Sequence, residues 1–319
     1  MKVLFKTGVL LGTLGMLVLS GCQKEEQIAV QPKPQADVAV SEGMLVFKTR
    51  DVFDVYNSQL DEVAKGTTLS NHLAQKETKL NFLSMRAASQ KSISLPGGRT
   101  MADQGIEDEY LASMLSPEGL VQIGEWIFKL DMPNKKCYAL AQKDEILLGE
   151  MKKAAPFSDK IQAFSTDDEV LDLLENGQKS GRVTGLFCRE DGQGEKDDKD
   201  FESFGFGGTY RLDCKVVYQK AAIYFSLQAK VKIQYKDGLG IWYAYPEFPY
   251  VTGFYQWKPK CRDEIGRESF GDYAVEETNE ISRRAYEASR GLNKFWYRVQ
   301  FGLTSTTTKS RVYEIKAGY

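Results

Sequence analysis

The sequence predicts an α+β fold, in which a small N-terminal α+β part with a β-hairpin precedes a mainly antiparallel β sheet or sandwich. The strongest observation is the run 223–235, where apolar and polar residues alternate over thirteen positions. Such alternation is typical of a long antiparallel strand with one face in the core and one face in water. A second observation is that helical spacing and a hairpin pattern precede residue 142, whereas short strand-like runs dominate after residue 205.

The first ordered elements are predicted to be a strand at 44–47 and a helix capped by Thr49. Apolar residues follow Thr49 at helical spacing, and they are Phe53, Tyr56, Leu60 and Val63. Further helices are expected at about 70–88 and about 106–115, with a Ser-, Gly- and Pro-rich loop between them. The expected apolar positions of the first of these helices are Leu73, Leu80 and Leu83.

A hairpin and one more strand complete the predicted N-terminal part. Two apolar runs, 120–123 and 126–130, flank Gly124-Glu125, which predicts a β-hairpin with a type II′ turn. A strand at about 136–141 joins it. The run 117–130 resembles a segment of uncharacterised lipoproteins of Bacteroidota. That resemblance spans about 45–142 and implies no catalytic residue.

The second part, 156–319, is predicted to open with a helix at 165–177. Thr166 and Glu169 have the spacing of a capping box before an apolar run, and Gly177 follows the run. The sequence leaves two alternatives open, namely a domain boundary between 44–155 and 156–319, or one core shared by both. Strands are expected at about 209–219, 223–235, 240–245, 250–258, 294–303 and 310–316.

The first 21 residues have the pattern of a cleavable export signal. Lys2 and Lys6 precede an apolar run at 9–19, which is too short to span a bilayer. Small residues then lead into Cys22, and Leu19-Ser20-Gly21-Cys22 resembles the lipobox of bacterial lipoproteins. The resemblance implies that Cys22 is acylated and holds the chain on an outer-membrane bilayer, because several fatty chains anchor more firmly than one.

The residues directly after Cys22 are Gln23, Lys24, Glu25 and Glu26. They resemble the export tag of Bacteroidota lipoproteins, which implies that the chain is displayed on the cell surface. The alternative is that these polar residues only begin a solvated tether. We expect such a flexible tether over 22–43, because this stretch is polar and contains Gln31-Pro32-Lys33-Pro34.

Four cysteines remain besides Cys22, and in an oxidising compartment they allow three full pairings. We expect a disulfide between Cys188 and Cys214, which would close the base of the charged loop between them. The alternative is that some cysteines stay reduced and buried, since Cys214 lies on the apolar face of its predicted strand. Zinc is not predicted, because no two cysteines are close in sequence and His72 is the sole histidine.

The sequence contains no recognisable catalytic or cofactor motif. The acidic run 190–200 fails as a calcium loop because Lys196 stands where the sharp turn needs glycine, so a solvated loop is expected. We predict no metal and no cofactor. Nucleophile elbows, zinc-protease motifs and phosphate loops are all missing. The two catalytic carboxylates of a glycosidase have no fixed spacing in sequence, so a glycosidase is the one catalytic class that the sequence leaves open.

The aromatic content of 12% is concentrated after residue 200, where Trp242, Tyr245 and Trp257 are candidates for stacking on a ligand. The alternative is that these rings only build the sheet. The net charge of −2 argues against a nucleic-acid partner. We therefore expect a non-catalytic binding or interaction module on the cell surface, with a glycan or a surface protein as partner. A polysaccharide hydrolase with paired carboxylates and a structural envelope component are the alternatives.

Overall fold

The structure is a computed structural model, and the residues from Ala36 to Tyr319 form one compact unit in it. Cys22 and the segment Gln23–Glu26 lie outside the residues that the structure describes. Within the described ranges, no helix combines the length and the apolar character needed to cross a membrane. These ranges are 37–61, 68–90, 102–153, 156, 158–175, 197–204, 208–304 and 311–317, with 197–204 and 311–317 described by their backbone.

The N-terminal half is built on a six-stranded sheet whose strands lie side by side in chain order. All neighbouring pairs are antiparallel except β2 and β3, which are parallel. The predicted hairpin is confirmed, and Gly124 has the positive φ of 57° that a type II′ turn needs at its first central residue. The strands are β1 (Val38–Ser41), β2 (Met44–Phe47), β3 (Leu120–Ile123), β4 (Trp126–Asp131), β5 (Lys136–Ala141) and β6 (Ile161–Ser165).

Within the described residues, six short α-helices accompany this sheet, and they are α1 (Arg50–Ser58), α2 (Leu69–Leu80), α3 (Met85–Gln90), α4 (Glu109–Met114), α5 (Leu148–Met151) and α6 (Val170–Glu175). The Thr49 cap is confirmed, since the amide of Val52 donates to its hydroxyl at 3.2 Å. The single helix predicted at 70–88 is two helices, because Asn81 ends α2 in the left-handed conformation.

Two boundaries differ from the sequence prediction. Residues 38–41 lie in the predicted tether but form β1, because their alternating valines pair with β2 across a tight turn. The helix expected at 165–177 begins at Val170, since Ser165 is the last residue of β6. The predicted capping box does not form, because the carboxylate of Glu169 accepts the amide of Gly291 instead.

The C-terminal half is a sandwich of two antiparallel sheets. In the first, β7 (Asp197–Phe204), β8 (Tyr210–Lys220) and β9 (Phe225–Lys236) are neighbours, and the other edge of β9 pairs with both β10 (Trp242–Ala244) and β13 (Glu280–Ala288). The second sheet has the order β12–β11–β14–β15, and its strands are β11 (Pro249–Pro259), β12 (Gly266–Tyr273), β14 (Leu292–Leu303) and β15 (Arg311–Ala317). The predicted α+β class with a β-rich second half is confirmed.

Two large apolar cores stabilise this unit. The first lies between the six-stranded sheet and its helices, and it also takes in the segment 221–224 that precedes β9. The second fills the sandwich with the inward residues of β8, β9, β11 and β14. The two halves therefore contact each other, because residues 221–224 of the C-terminal half belong to the core of the N-terminal half. They also pack along one face of the β8–β9 sheet. The second core includes Leu212, Cys214, Leu227, Val231, Tyr255, Phe295, Tyr297 and Val299.

The prediction that one face of β9 is in water is wrong. Its polar residues Ser226 and Gln228 are buried. The physical reason is that α4 and the residues before it lie across this face and supply complementary polar groups. Asp108 accepts the hydroxyl of Ser226, and Lys230 donates to Glu109 at 2.6 Å.

The disulfide predicted between Cys188 and Cys214 is wrong. Cys214 is a reduced cysteine whose side chain is buried in the sandwich core, on the inward face of β8. Cys137 is likewise reduced and buried, and burial raises the pKa of its thiol. Cys261 is disulfide-bonded. Cys188 lies outside the described residues.

Candidate functional site

A hairpin between β9 and β10 places aromatic residues at one end of the sandwich. Its register pairs Trp242 with Lys236 and Tyr243 with Tyr235. The turn between the strands is ordered by Asp237, whose carboxylate accepts the amides of Leu239 and Ile241 at 2.9 Å each. Hydrogen bonds from these amides lower the pKa of Asp237. The turn thus presents Leu239 to solvent, with 86% of its surface exposed.

Four tyrosines meet at the base of this hairpin, and we call them the tyrosine cluster: Tyr210, Tyr235, Tyr243 and Tyr245. Tyr235 and Tyr243 stack with their ring centroids 5.5 Å apart. Tyr245 contacts Tyr210 edge-on at 4.8 Å and Tyr235 at 6.0 Å. A hydrogen bond to Tyr210 raises the pKa of the Tyr245 hydroxyl. Since Tyr243 is 43% exposed, the cluster offers an aromatic ring and hydroxyl groups at the surface.

Trp242 lies on the other face of the same hairpin and is half-buried. The guanidinium of Arg211 sits over its indole, 4.3 Å from the ring centroid, and Lys236 lies 5.7 Å from the same centroid. Arg211 is held there because Nε and Nη2 both donate to Gln234 Oε1, at 2.9 and 2.7 Å. The indole of Trp242 is therefore engaged by cations, which makes it a poorer stacking surface than Tyr243.

Trp257 does not belong to the same site. It packs against Tyr286, with centroids 6.0 Å apart, and its ring lies on Gly266. Tyr286 pairs with Leu227, whereas Trp242 pairs with Lys236. These two positions of β9 are nine residues apart, which is about 30 Å along a strand. Of the three predicted aromatics, Trp242 and Tyr245 share one end of the sandwich and Trp257 lies toward the other.

Sequence reasoning missed Tyr210, Tyr235 and Arg211 as members of the candidate site. Their positions depend on the register of β8 against β9, which pairs Tyr210 with Tyr235 and Arg211 with Gln234. The signal that could have found them is the shared alternation of the two strands, because residues of one face lie opposite each other once the hairpin forms.

A separate pocket of about 250 Å³ lies between the β3–β4 turn and α6. Its walls are mainly apolar, and two of its three charged lining residues, Arg50 and Glu175, are bound to each other. Arg50 donates to Asp172 and to Glu175 at 2.7 Å each. Arg290 holds the other oxygen of Asp172 at 2.7 Å. These carboxylates serve ion pairs, so they do not form the opposed pair that a glycosidase needs. The lining residues are Arg50, Ile123, Gly124, Glu125, Trp126, Phe128, Leu171, Leu174 and Glu175.

Arg284 is a buried charged residue that joins the two halves. It donates to Asn57 Oδ1 at 2.8 Å and to the hydroxyl of Tyr224 at 3.0 Å, and its guanidinium lies 4.0 Å from the ring centroid of Tyr110. Tyr224 in turn donates to Asp108 at 2.6 Å. These groups satisfy one another, so the cluster acts as a polar interface. Among the described residues, no group of three or more His, Cys, Asp or Glu could hold a metal ion.

No protein-family model matches the chain, and neither does any curated protein. Among solved structures, a match is the crystal structure of a DUF4848 family protein from Bacteroides thetaiotaomicron. The alignment covers 87% of this chain and 100% of that one, at 9% sequence identity and a TM-score of 0.21.

Proposed function

We propose that this chain is a lipid-anchored, non-catalytic binding module on the outer face of a bacterial outer membrane, and that its ligand is a glycan held at the tyrosine cluster. The observation that carries the binding proposal is the exposed ring of Tyr243, stacked on Tyr235 beside further tyrosine hydroxyls. Such a surface combines a flat apolar face with hydrogen-bonding groups, which is the chemistry that a sugar ring presents in return. The anchor rests on the lipobox-like segment before Cys22 and on the residues that follow it.

The binding proposal is tested with a glycan array probed by the compact unit Ala36–Tyr319, which contains both apolar cores complete. Removing the ring in Tyr243→Ala is expected to weaken binding about tenfold, which corresponds to about 1.4 kcal/mol. The matched control is Ile146→Ala, which removes a more exposed apolar side chain from the other half and is expected to bind as the parent does. Equal binding by both variants contradicts the proposed site.

The same samples separate binding from catalysis. Incubation with a polysaccharide that the array identifies is expected to leave its chain length unchanged, as size-exclusion chromatography would show. Shortened products would instead establish the hydrolase alternative. If no glycan on the array is bound, the ligand class is wrong and a protein partner becomes the better hypothesis.

The anchor and the location are tested in cells. Labelled palmitate is expected to enter the parent protein and to be lost in Cys22→Ala, since that thiol is the proposed attachment point. Protease treatment of intact cells is expected to remove the parent protein from the surface. Protection until the cells are lysed would contradict display through Gln23, Lys24, Glu25 and Glu26, and it would leave the lipid anchor itself untouched.

A further inference from the structure

The outward face of the second sandwich sheet combines aromatic rings with basic side chains. We call it the open sheet face and define it by the outward residues of β11, β12 and β14. The register sets these residues in rows across the three strands. The rows are Tyr273–Tyr250–Gly302, Gly271–Thr252–Gln300, Ser269–Phe254–Arg298 and Arg267–Gln256–Trp296, followed by Lys258–Lys294.

Two aromatic pairs lie on this face, one stacked and one tilted. Tyr250 stacks on Tyr273 with centroids 5.5 Å apart, and Tyr273 is 54% exposed. Tyr250 can lie flat because Gly302 is beneath it, where an added Cβ would come within 2.5 Å of the ring. The second pair is Phe254 and Trp296, at 5.2 Å. Since Tyr250 and Phe254 are four residues apart, the pairs are about 13 Å apart along the strand, which allows contacts with separate rings of one extended chain.

The charge of the open sheet face is positive. Its three described strands contribute Arg267, Arg298, Lys258 and Lys294 to this face and no carboxylate. The acidic residues of β12 point the other way, where Glu268 and Asp272 pair with Arg283. By register, β15 lies beside β14 with Glu314 opposite Arg298 and Lys316 opposite Trp296. The face is therefore cationic on a chain whose net charge is −2.

Hydrogen-bonding groups lie between the aromatic pairs and the cations. Thr252 and Ser269 carry hydroxyls, and the amide of Gln300 donates to the Tyr250 hydroxyl at 3.5 Å. The indole Nε1 of Trp296 is buried and donates to none of the described residues. An orphaned donor of this kind costs free energy unless another group accepts its hydrogen bond. Together these groups fit a ligand that is ring-shaped, rich in oxygen and negatively charged.

We propose that the open sheet face binds an acidic polysaccharide, with sugar rings on the two aromatic pairs and carboxylates on its exposed arginines. A guanidinium can take a carboxylate with two parallel hydrogen bonds, so Arg267 and Arg298 are the expected charge contacts. A lipid surface fits less well, because the outward positions of β11, β12 and β14 hold no Leu, Ile or Val to enter it. Nucleic acid fits less well, because the chain as a whole is acidic and phosphate binding needs a greater excess of cations. This site is separate from the tyrosine cluster.

Binding to polygalacturonate, a carboxylated polysaccharide, tests the proposal directly, with dextran as the uncharged comparison. The unit Ala36–Tyr319 is expected to bind polygalacturonate and not dextran, and the affinity is expected to fall as salt is added. The double variant Arg267→Gln and Arg298→Gln is expected to bind about tenfold more weakly at low salt and to show a flatter salt dependence. Tyr273→Ala is expected to lose about tenfold at every salt concentration.

Control variants distinguish a built site from net charge. Lys136→Gln with Lys143→Gln removes two exposed charges from the N-terminal half and is expected to leave binding unchanged. Ile146→Ala, which removes an exposed apolar side chain from the N-terminal half, is likewise expected to have no effect. Equal losses in the two charge variants, equal binding to dextran, or no binding to polygalacturonate would overturn the proposal. Tighter binding to phosphatidylglycerol vesicles or to polyuridylate would overturn it in favour of a membrane or a nucleic acid.

Discussion

The two sheets of the sandwich carry similar apolar inner faces, but their outer faces differ in what covers them. The outer face of the β8–β9 sheet is polar and buried beneath α4, where Lys215 and Lys230 meet Glu107 and Glu109 at 2.6 Å. The outer face of the β11–β14 sheet is aromatic and cationic, and its β12 residues are exposed. The polar groups of the first face are therefore complemented within the chain, whereas Arg267 and Arg298 on the second face are exposed to solvent.

This difference shows that alternation along a strand indicates which side chains are polar, and not whether those side chains are exposed to water. A polar face can be buried when a second element supplies matching charges and hydrogen bonds, and an uncompensated one would be far too costly to bury. The predictions below contrast the buried polar face with the open sheet face, beginning with the change that should matter most for stability.

Arg284→Ala should produce the largest loss of stability. The Arg284 side chain is 0% exposed, and its removal leaves Asn57 and Tyr224 without their buried donor and Tyr110 without its cation. Breaking such a buried charged network typically costs about 3–5 kcal/mol. Urea unfolding of the parent and the variant measures the difference.

The neighbouring residue supplies a matched control for this prediction. Arg283→Ala removes the same side chain from the same strand, but Arg283 is partly exposed and pairs with Glu268 near the surface. Exposed ion pairs contribute about 0–1 kcal/mol, so a small loss is expected. Similar losses in the two variants would show that the interface between the halves is not a rigid, desolvated network.

Glu109→Gln should give the second-largest effect and a distinct pH signature. Burial disfavours the Glu109 carboxylate, but Lys230 and Lys232 outweigh that penalty and lower the pKa of Glu109 to about 2. A carboxyl whose pKa is depressed on folding stabilises the protein above its ordinary pKa of 4.5 and loses that contribution as the pH falls toward 2. The depression corresponds to about 3 kcal/mol at neutral pH.

The measurement is urea unfolding of the parent and of Glu109→Gln at several pH values. The stability gap between them is expected to be constant above about pH 4.5 and to close as the pH is lowered through the depressed pKa. Lys230 keeps Glu280 as a partner in the variant, so the fold should persist. A gap that widens in acid would show that Glu109 is not held as a carboxylate by these lysines.

The sequence predicted most of the sandwich because its central strands are apolar on alternate positions. Strands β8, β9, β11 and β14 were found in this way. Strands β12 and β13 were missed, since Gly266–Tyr273 and Glu280–Ala288 are rich in charged or small residues and carry too few apolar positions. Residues 197–200 are predicted as a loop, again because they are rich in charged residues. They instead begin β7, which pairs with its neighbour β8.

The candidate sites were less predictable than the strands, because they depend on register. Trp242 and Tyr245 were singled out by composition, but their partners Tyr210 and Arg211 lie on another strand and become neighbours only through pairing with β9. The open sheet face combines three strands, one of which was missed altogether. The contribution of its glycines could not be predicted from the sequence, although the absence of a side chain at Gly302 leaves the space in which the Tyr250 ring lies.

Gly302→Ala should have an intermediate effect and sharpen the description of the open sheet face. The added methyl group would lie within 2.5 Å of the Tyr250 ring, so the ring must move off the sheet. Overpacking of this kind typically costs about 1–3 kcal/mol. We expect that loss in urea unfolding, together with weaker polygalacturonate binding. Gly43→Ala is not a suitable control, because its φ of 76° adds backbone strain, whereas Gly149→Ala meets no neighbour and serves the purpose.

Arg298→Ala should have the smallest effect on stability, and it sets the open sheet face against the buried one most directly. Arg298 is exposed on β14, so its removal uncovers no apolar core and leaves no buried group unsatisfied. Surface substitutions of this kind usually change the unfolding free energy by less than about 0.5 kcal/mol. A polar side chain that contributes to binding but not to folding is what a ligand site requires, since its complement is absent until the ligand arrives. Urea unfolding and polygalacturonate binding, measured on the same sample, separate the two contributions. A loss of several kcal/mol on unfolding would place Arg298 among the structural charges and remove the contrast between the sheets.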